Sequence, residues 1–315
     1  MATTFFPTLQ SMLVLLTFIL TGLFLGKKRI VPDDAYRTLS KVCTTLFTPA
    51  LSLSALLTSC TRESLKEQFW AIAAGTVVLA AAVILGFALA RLFAKDGYMK
   101  QVYRYAMVVA NHGFVGAALI PMLFGQEALY TYMLFTLPLN VFTSTFGFMA
   151  LIPSKDGKSP LKRAFLNPIF IAIIIGLVSG VTGLTPYLPK FVTDSVSKLA
   201  SCMAPVGMLL TGLVISRYRF RDLLANKKVY LATLLRLFVI PAVLLSLLRL
   251  INKDPTVMIC GMFAYAAPLG LNLIIFPSSC GEETSDGASM VMVSHFLCVL
   301  SIPLMYSLVS LLGWA

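Results

Sequence analysis

The sequence predicts an all-α integral membrane protein of ten transmembrane helices, built as a 5+5 inverted repeat in which helices 4 and 9 are broken. Three observations predict it. The first is composition: the chain is 58% hydrophobic and 12% charged, with a mean hydropathy of +0.87, whereas a soluble domain carries about 25% charged residues. The second is spacing: apolar runs recur along the whole length, and about 18 such residues suffice to cross a ~30 Å hydrocarbon core as a helix. The third is an internal correspondence. Pro49, Pro121, Gly125 and Glu127 stand the same distance along the chain from Pro205, Pro277, Gly281 and Glu283, respectively.

Each span has its own reason. Span 1, Leu9–Gly26, is an apolar run closed by Lys27, Lys28 and Arg29. It lacks a basic leader and a small-residue cleavage site, so it reads as a membrane helix and not as a cleavable signal. Span 2, Val42–Ser59, carries Pro49, and span 3, Phe69–Leu92, is alanine-rich with no carboxylate. Span 4, Tyr103–Phe124, is apolar but interrupted by Asn111, His112, Gly113, Gly116 and Pro121. Span 5, Ala128–Ile152, follows directly. Span 6, Phe165–Leu184, opens on Asn167 and Pro168. The prolines of Thr185–Lys198 make that stretch an interfacial turn or short helix. Span 7, Leu199–Ser216, and span 8, Val229–Leu250, come next. Span 9, Thr256–Ser279, holds Pro268, Gly270, Asn272 and Pro277, and span 10, Ala288–Leu311, ends the series. The first repeat is then 1–152, a short cytoplasmic linker 153–164, and the second repeat 165–315.

The net charge of +12 does not indicate nucleic acid, because the basic residues fall in short clusters between apolar runs. They read as topology signals. Odd-numbered loops hold 18 Lys and Arg, even-numbered loops six. Basic loops stay cytoplasmic, which places both termini outside a multi-pass cell-membrane protein. The six cysteines form no CxxC pair and read as small buried hydrophobes. No phosphate loop, metal cluster or nucleophile–base pair is evident, so the chain is not read as an enzyme and no cofactor is expected.

The two halves each contain five spans, so the second is inverted relative to the first, an arrangement common in secondary transporters. Irregular backbone at membrane depth is tolerated only where protein or a water-filled cavity covers it. Interruptions at matching places in two inverted halves therefore point to a binding site near the midplane. A broken helix also presents a partial positive end that favours an anion. Asn111 and Asn272 can donate to a carboxylate without bringing a charge into the membrane.

Asn111–Gly116 with Leu123–Gly125 resembles the fourth helix of the auxin efflux carrier family. Ala267 and Pro268 with Asn272 resemble its ninth, and Asn167-Pro168 and Thr48–Leu51 also fit. The resemblance covers essentially the whole chain. It implies broken helices 4 and 9 that cross each other, a homodimer, and export or exchange of organic anions such as indole-3-acetate, malate or malonate. The short segment Pro153–Ala164 in place of the long cytoplasmic loop of the plant carriers makes the chain similar to a compact, bacterial-type member. Family members often place proline seven residues after the span-4 asparagine. Here that position is Ala118, and Pro121 follows three residues later. The plant carriers have an acidic residue in span 3, and this chain has none.

Further candidates lie nearby. Asn140, between Thr136, Pro138 and Thr143, faces either the pocket or a neighbouring helix. Ser52 follows Pro49, where the family resemblance implies a pocket wall. His112 is the candidate for proton or substrate coupling. Arg236, inside span 8, is expected to snorkel to the cytoplasmic headgroups, the other reading being a fixed cation for an entering anion. The substrate-binding set is thus Asn111, His112, Asn272, Asn140, Ser52, Pro121 and Pro268. The expected function is secondary transport, by efflux or facilitated permeation, of small organic anions by alternating access. The rivals are a sodium-coupled symporter of bile-acid type and a membrane receptor that binds without flux. Proton and sodium coupling both stay open at this point.

Overall fold

The computed structural model describes residues 2–151, 166–280 and 285–314. The proposed linker 153–164 and two members of the internal correspondence, Gly281 and Glu283, lie outside them. The described residues are helical throughout, apart from one isolated bridge and the short connections between helices.

Among the described residues, seven helices are long and apolar enough to cross a membrane: Phe5–Lys27, Ala35–Ser59, Arg62–Ala90, His112–Leu151, Lys190–Ser216, Lys227–Ile251 and Ser285–Leu311. The ten predicted spans are not recovered as ten such helices, and the shortfall has a physical reason at each place. Predicted span 4 is split into Gly97–Val108 and a continuation from His112. Predicted span 9 is split into Pro255–Tyr265 and Asn272–Cys280. Each of these pieces except the His112 continuation is too short to cross alone. Predicted span 6 appears as Pro168–Val181, of 14 residues. The continuation from His112 runs 40 residues to Leu151. As a straight helix it would reach about 60 Å, twice the hydrocarbon thickness. It is not straight: Gly125, at φ 84° and ψ −176°, interrupts it. Only glycine adopts that conformation readily, so Gly125 acts as the corner between predicted spans 4 and 5.

Thr185–Lys198 forms a 3-10 turn, Thr185–Tyr187, and then the start of helix Lys190–Ser201, which leads into Met203–Ser216. The N-terminal helix packs closely along Met203–Ser216, while Pro168–Val181 lies against Thr48–Ser59. The interruptions of predicted spans 4 and 9 meet in the protein interior. Tyr105, Met107 and Val108 on one side, and Phe263 to Ala267 on the other, are essentially inaccessible.

Candidate functional site

The site begins with two stretches of backbone that cannot stay helical. Helix Gly97–Val108 ends at Val109, which is extended at φ −104° and ψ 120°. Helix Pro255–Tyr265 ends shortly before Pro268, with Ala266 and Ala267 between, and a proline ring disfavours helical conformation in the residue before it. The two interruptions run antiparallel and pair, with a bridge between Ala110 and Leu269. The Asn111 backbone N–H donates to the Pro268 carbonyl at 2.6 Å.

Further backbone groups exposed by the breaks find partners elsewhere. Leu269 N–H donates to Ser294 Oγ at 3.0 Å, and Tyr132 Oη donates to the His112 carbonyl at 2.9 Å. The Arg236 guanidinium donates to the Tyr265 carbonyl. This is how irregular backbone survives at such depth: neighbouring helices supply the lost hydrogen bonds.

The side chains are held as firmly. Asn111 Nδ2 donates to His295 Nε2 at 3.1 Å, and His295 Nδ1 faces the Val291 carbonyl at 2.8 Å. One neutral tautomer, with the proton on Nδ1, satisfies both contacts. His295 is therefore a fixed support that aims Asn111. Replacing it with leucine leaves the Asn111 amide without that partner in a buried setting, and the expected cost is about 1–3 kcal/mol, read as a lower thermal unfolding temperature in detergent. Asn272 Nδ2 donates to Tyr105 Oη at 3.0 Å.

His112 presents a different case. Its Nδ1 lies 3.1 Å from the Ala110 carbonyl and its Nε2 lies 3.0 Å from Asn140 Oδ1. Both partners are acceptors, and a neutral imidazole has one N–H. Two states satisfy the geometry: a charged imidazolium, or a reversed Asn140 amide that donates to Nε2.

These groups converge on one cavity of about 500 Å³, within the size range of small-molecule sites. Asn111, His112, Asn140 and Asn272 all line it. Thr44, Thr45, Thr48, Thr143 and Asn167 complete its polar wall, and none of the described lining residues is acidic. Helix Pro168–Val181 begins at the cavity, capped by Asn167 Oδ1, which accepts from Ile169 N–H at 2.9 Å. Helix Asn272–Cys280 begins there too. Helix N-termini carry partial positive charge, so the cavity is biased toward an anion. A second cavity, of about 710 Å³, has the opposite character: Glu67, Glu127 and Asp254 line it.

Three predicted residues lie elsewhere. Pro268 sits in the paired crossing and contributes its carbonyl there. Pro121 lies beyond the crossing, in a smaller cavity of about 290 Å³ with Ser54 and Met122. The two interruptions pair at Ala110 and Leu269, the former about three helical turns before Pro121. Ser52 is not among the residues lining the 500 Å³ cavity; it donates to the Thr48 carbonyl at 3.2 Å and lies 3.8 Å from Met133 Sδ. Arg236 is fully buried and bound to Tyr265, so it does not reach headgroups as expected.

The model of one protein family, described as membrane transport protein, matches residues 7–161 and 157–306. Together these cover nearly the whole chain. The chain belongs to that family, which is the auxin efflux carrier family its motifs resemble. It is therefore a multi-pass membrane transporter, and members of the family are transporters and not enzymes. No curated protein matches the chain in a sequence search. In this transporter the sequence-level candidates missed the threonines of span 2 and the supporting roles of His295 and Tyr105. Nothing in the local sequence distinguishes Tyr105 or those threonines; His295, an imidazole inside an apolar run, did carry a signal, but its supporting role arises from packing between distant spans.

Proposed function

We propose that this transporter carries small organic anions, auxin-like monocarboxylates or malate and malonate, by alternating access. The carrying observation is the 500 Å³ cavity, where Asn111, His112, Asn140 and Asn272 meet two helix N-termini with no carboxylate among the described lining residues. Amide donors and helix ends recognise a carboxylate, while Phe114, Ile169 and Phe276 accommodate an apolar body. A charged His112 would strengthen the same preference.

We read the architecture as ten spans in a 5+5 inverted repeat, with both termini extracytoplasmic in the cell membrane. In that topology Thr44, Thr143 and Asn167 lie at the odd-loop ends of their spans, which are cytoplasmic. Glu67, Glu127 and Asp254 lie at the even-loop ends. The anion cavity then faces the cytoplasm and the acidic one faces outside. A monovalent anion leaving the cell gains ~2.3 kcal/mol per 100 mV of membrane potential, so efflux needs no other driving ion.

Thermal unfolding of the purified protein against a panel of mono- and dicarboxylates tests this reading, together with flux of the labelled hit across sealed vesicles. At least one carboxylate is expected to stabilise the wild type and to cross. Asn111→Ala and Asn272→Ala are each expected to lose the stabilisation. A ligand that keeps its affinity in both variants would place the site elsewhere, and binding without flux would make the chain a receptor.

A further inference from the structure

Arg236 is the largest fully buried side chain among the described residues. No carboxylate among them lies within ion-pair distance of it; the one pair they form is Lys100 with Asp96, at 4.0 Å. Its Nη1 donates to the carbonyl of Tyr265, while its Nε and Nη2 have no protein partner among the described residues. A buried guanidinium with two nitrogens unpaired among the described residues demands a reason, since an uncompensated buried charge is strongly destabilising.

The reason lies in its partner. Tyr265 is the last residue of helix Pro255–Tyr265, immediately before the interruption that pairs with Ala110. A helix C-terminus carries partial negative charge. In secondary transporters built on interrupted helices, unwound carbonyls and half-helix C-terminal ends are where coupling cations bind. Here that position holds a cation that belongs to the chain. It is not in the cavity wall. It acts from behind the crossing.

We propose that Arg236 is a resident cation: a positioning residue that stands at the carbonyl end of the interrupted helix in place of a co-transported metal ion, and so frees anion binding from any need for sodium. Its bond to Tyr265 fixes the crossing that aims Asn111 and His112, and its charge favours the bound anion. The inference rests on the anion-carrier reading above and assigns the origin of its driving force.

The test uses the full-length protein in detergent, with malonate and indole-3-acetate as probes and thermal stabilisation as the readout. Replacing sodium with choline is expected to leave the wild-type midpoint unchanged. Arg236→Met is expected to weaken probe binding by about tenfold or more, the usual size of coupling between two sites. Arg236→Lys, which keeps a cation, is expected to retain most of the affinity. In Arg236→Ala, added guanidinium but not urea is expected to restore binding. A purely structural arginine would show no such dependence on charge. Sodium dependence in the wild type would overturn the proposal. So would equal losses in the lysine and methionine variants, or wild-type affinity in the methionine variant. If the methionine variant does not fold, the lysine variant and the sodium replacement decide. Failure of the wild type to bind any carboxylate would defeat the carrier reading and this inference together. Binding that requires sodium defeats this inference alone.

Discussion

Asn272→Asp is expected to weaken anion binding by roughly two orders of magnitude while leaving the fold as stable as the wild type or slightly more so. The two effects separate because the substitution changes charge and little else. Asn272 is the first residue of helix Asn272–Cys280, a position where a carboxylate interacts favourably with the helix dipole, by about 0.3–1 kcal/mol. Its present contact also survives, since Tyr105 Oη can turn from acceptor to donor toward the new carboxylate. The cavity, however, has no acidic lining residue among those described. A new negative charge about 5 Å from a bound carboxylate opposes it by about 3 kcal/mol at an effective dielectric constant near 20, which is about a hundredfold in affinity. Stability and ligand response, measured in one thermal-unfolding series with and without carboxylate, should therefore move apart. Parallel loss of both would mean that Asn272 matters only for packing. An unchanged ligand response would remove Asn272 from the site.

The membrane class and the two interruptions were legible in the sequence for a simple reason. Hydrophobic length and the placement of Pro, Gly and Asn within apolar runs are local properties, and both constraints act locally on the backbone. Asn111, His112, Asn140 and Asn272 were found because amides and imidazoles inside apolar runs are rare and need a polar destination. The structure gives them one shared destination.

What could not be read locally was the register of one element against another. With Ala118 where the family often has proline and Pro121 three residues later, the sequence left the crossing point open, and the chain returns to helix as early as His112. The pairing of Ala110 with Leu269 is set by the approach of the two interruptions, and neither residue is distinctive. Arg236 went astray for the same reason. Its distance along the span from Lys228 allows a side chain to reach either the headgroups or the interior, and the Tyr265 carbonyl decides between them. Ser52 is an ordinary hydroxyl that bonds back to its own helix, as Ser and Thr in helices commonly do. Helix counting also blurred, because Gly125 turns the chain without leaving a clear gap between spans 4 and 5.

Gly212→Val is expected to be the most damaging single substitution for stability. Helix Met203–Ser216 and the N-terminal helix approach so closely that their glycines serve each other. A β-carbon on Gly212 would stand 2.0 Å from the Ile19 carbonyl oxygen and 2.5 Å from the Leu23 nitrogen, and one on Gly22 would stand 2.1 Å from the Leu209 carbonyl oxygen. These obstacles are backbone atoms, so no side-chain rotation relieves them and the helices must separate. Small residues permit this kind of approach in membranes, where packing in place of the hydrophobic effect holds helices together. Competing terms are smaller. Glycine costs a helix about 0.8–1 kcal/mol relative to alanine, so even Gly212→Ala gains less than the clash removes, because overpacking costs typically about 1–3 kcal/mol where side chains can still adjust. Valine adds two more methyl groups against the same wall. The expected result is loss of monodisperse protein on size-exclusion chromatography for Gly212→Val, and a lowered unfolding temperature for Gly212→Ala. Gly113→Ala, where an added β-carbon meets nothing within 4 Å, serves as the stability control and should unfold near the wild-type temperature. Normal folding of Gly212→Val would mean that the two helices are not held at the separation described, and the seam joining the first and second halves of the chain would need to be drawn elsewhere.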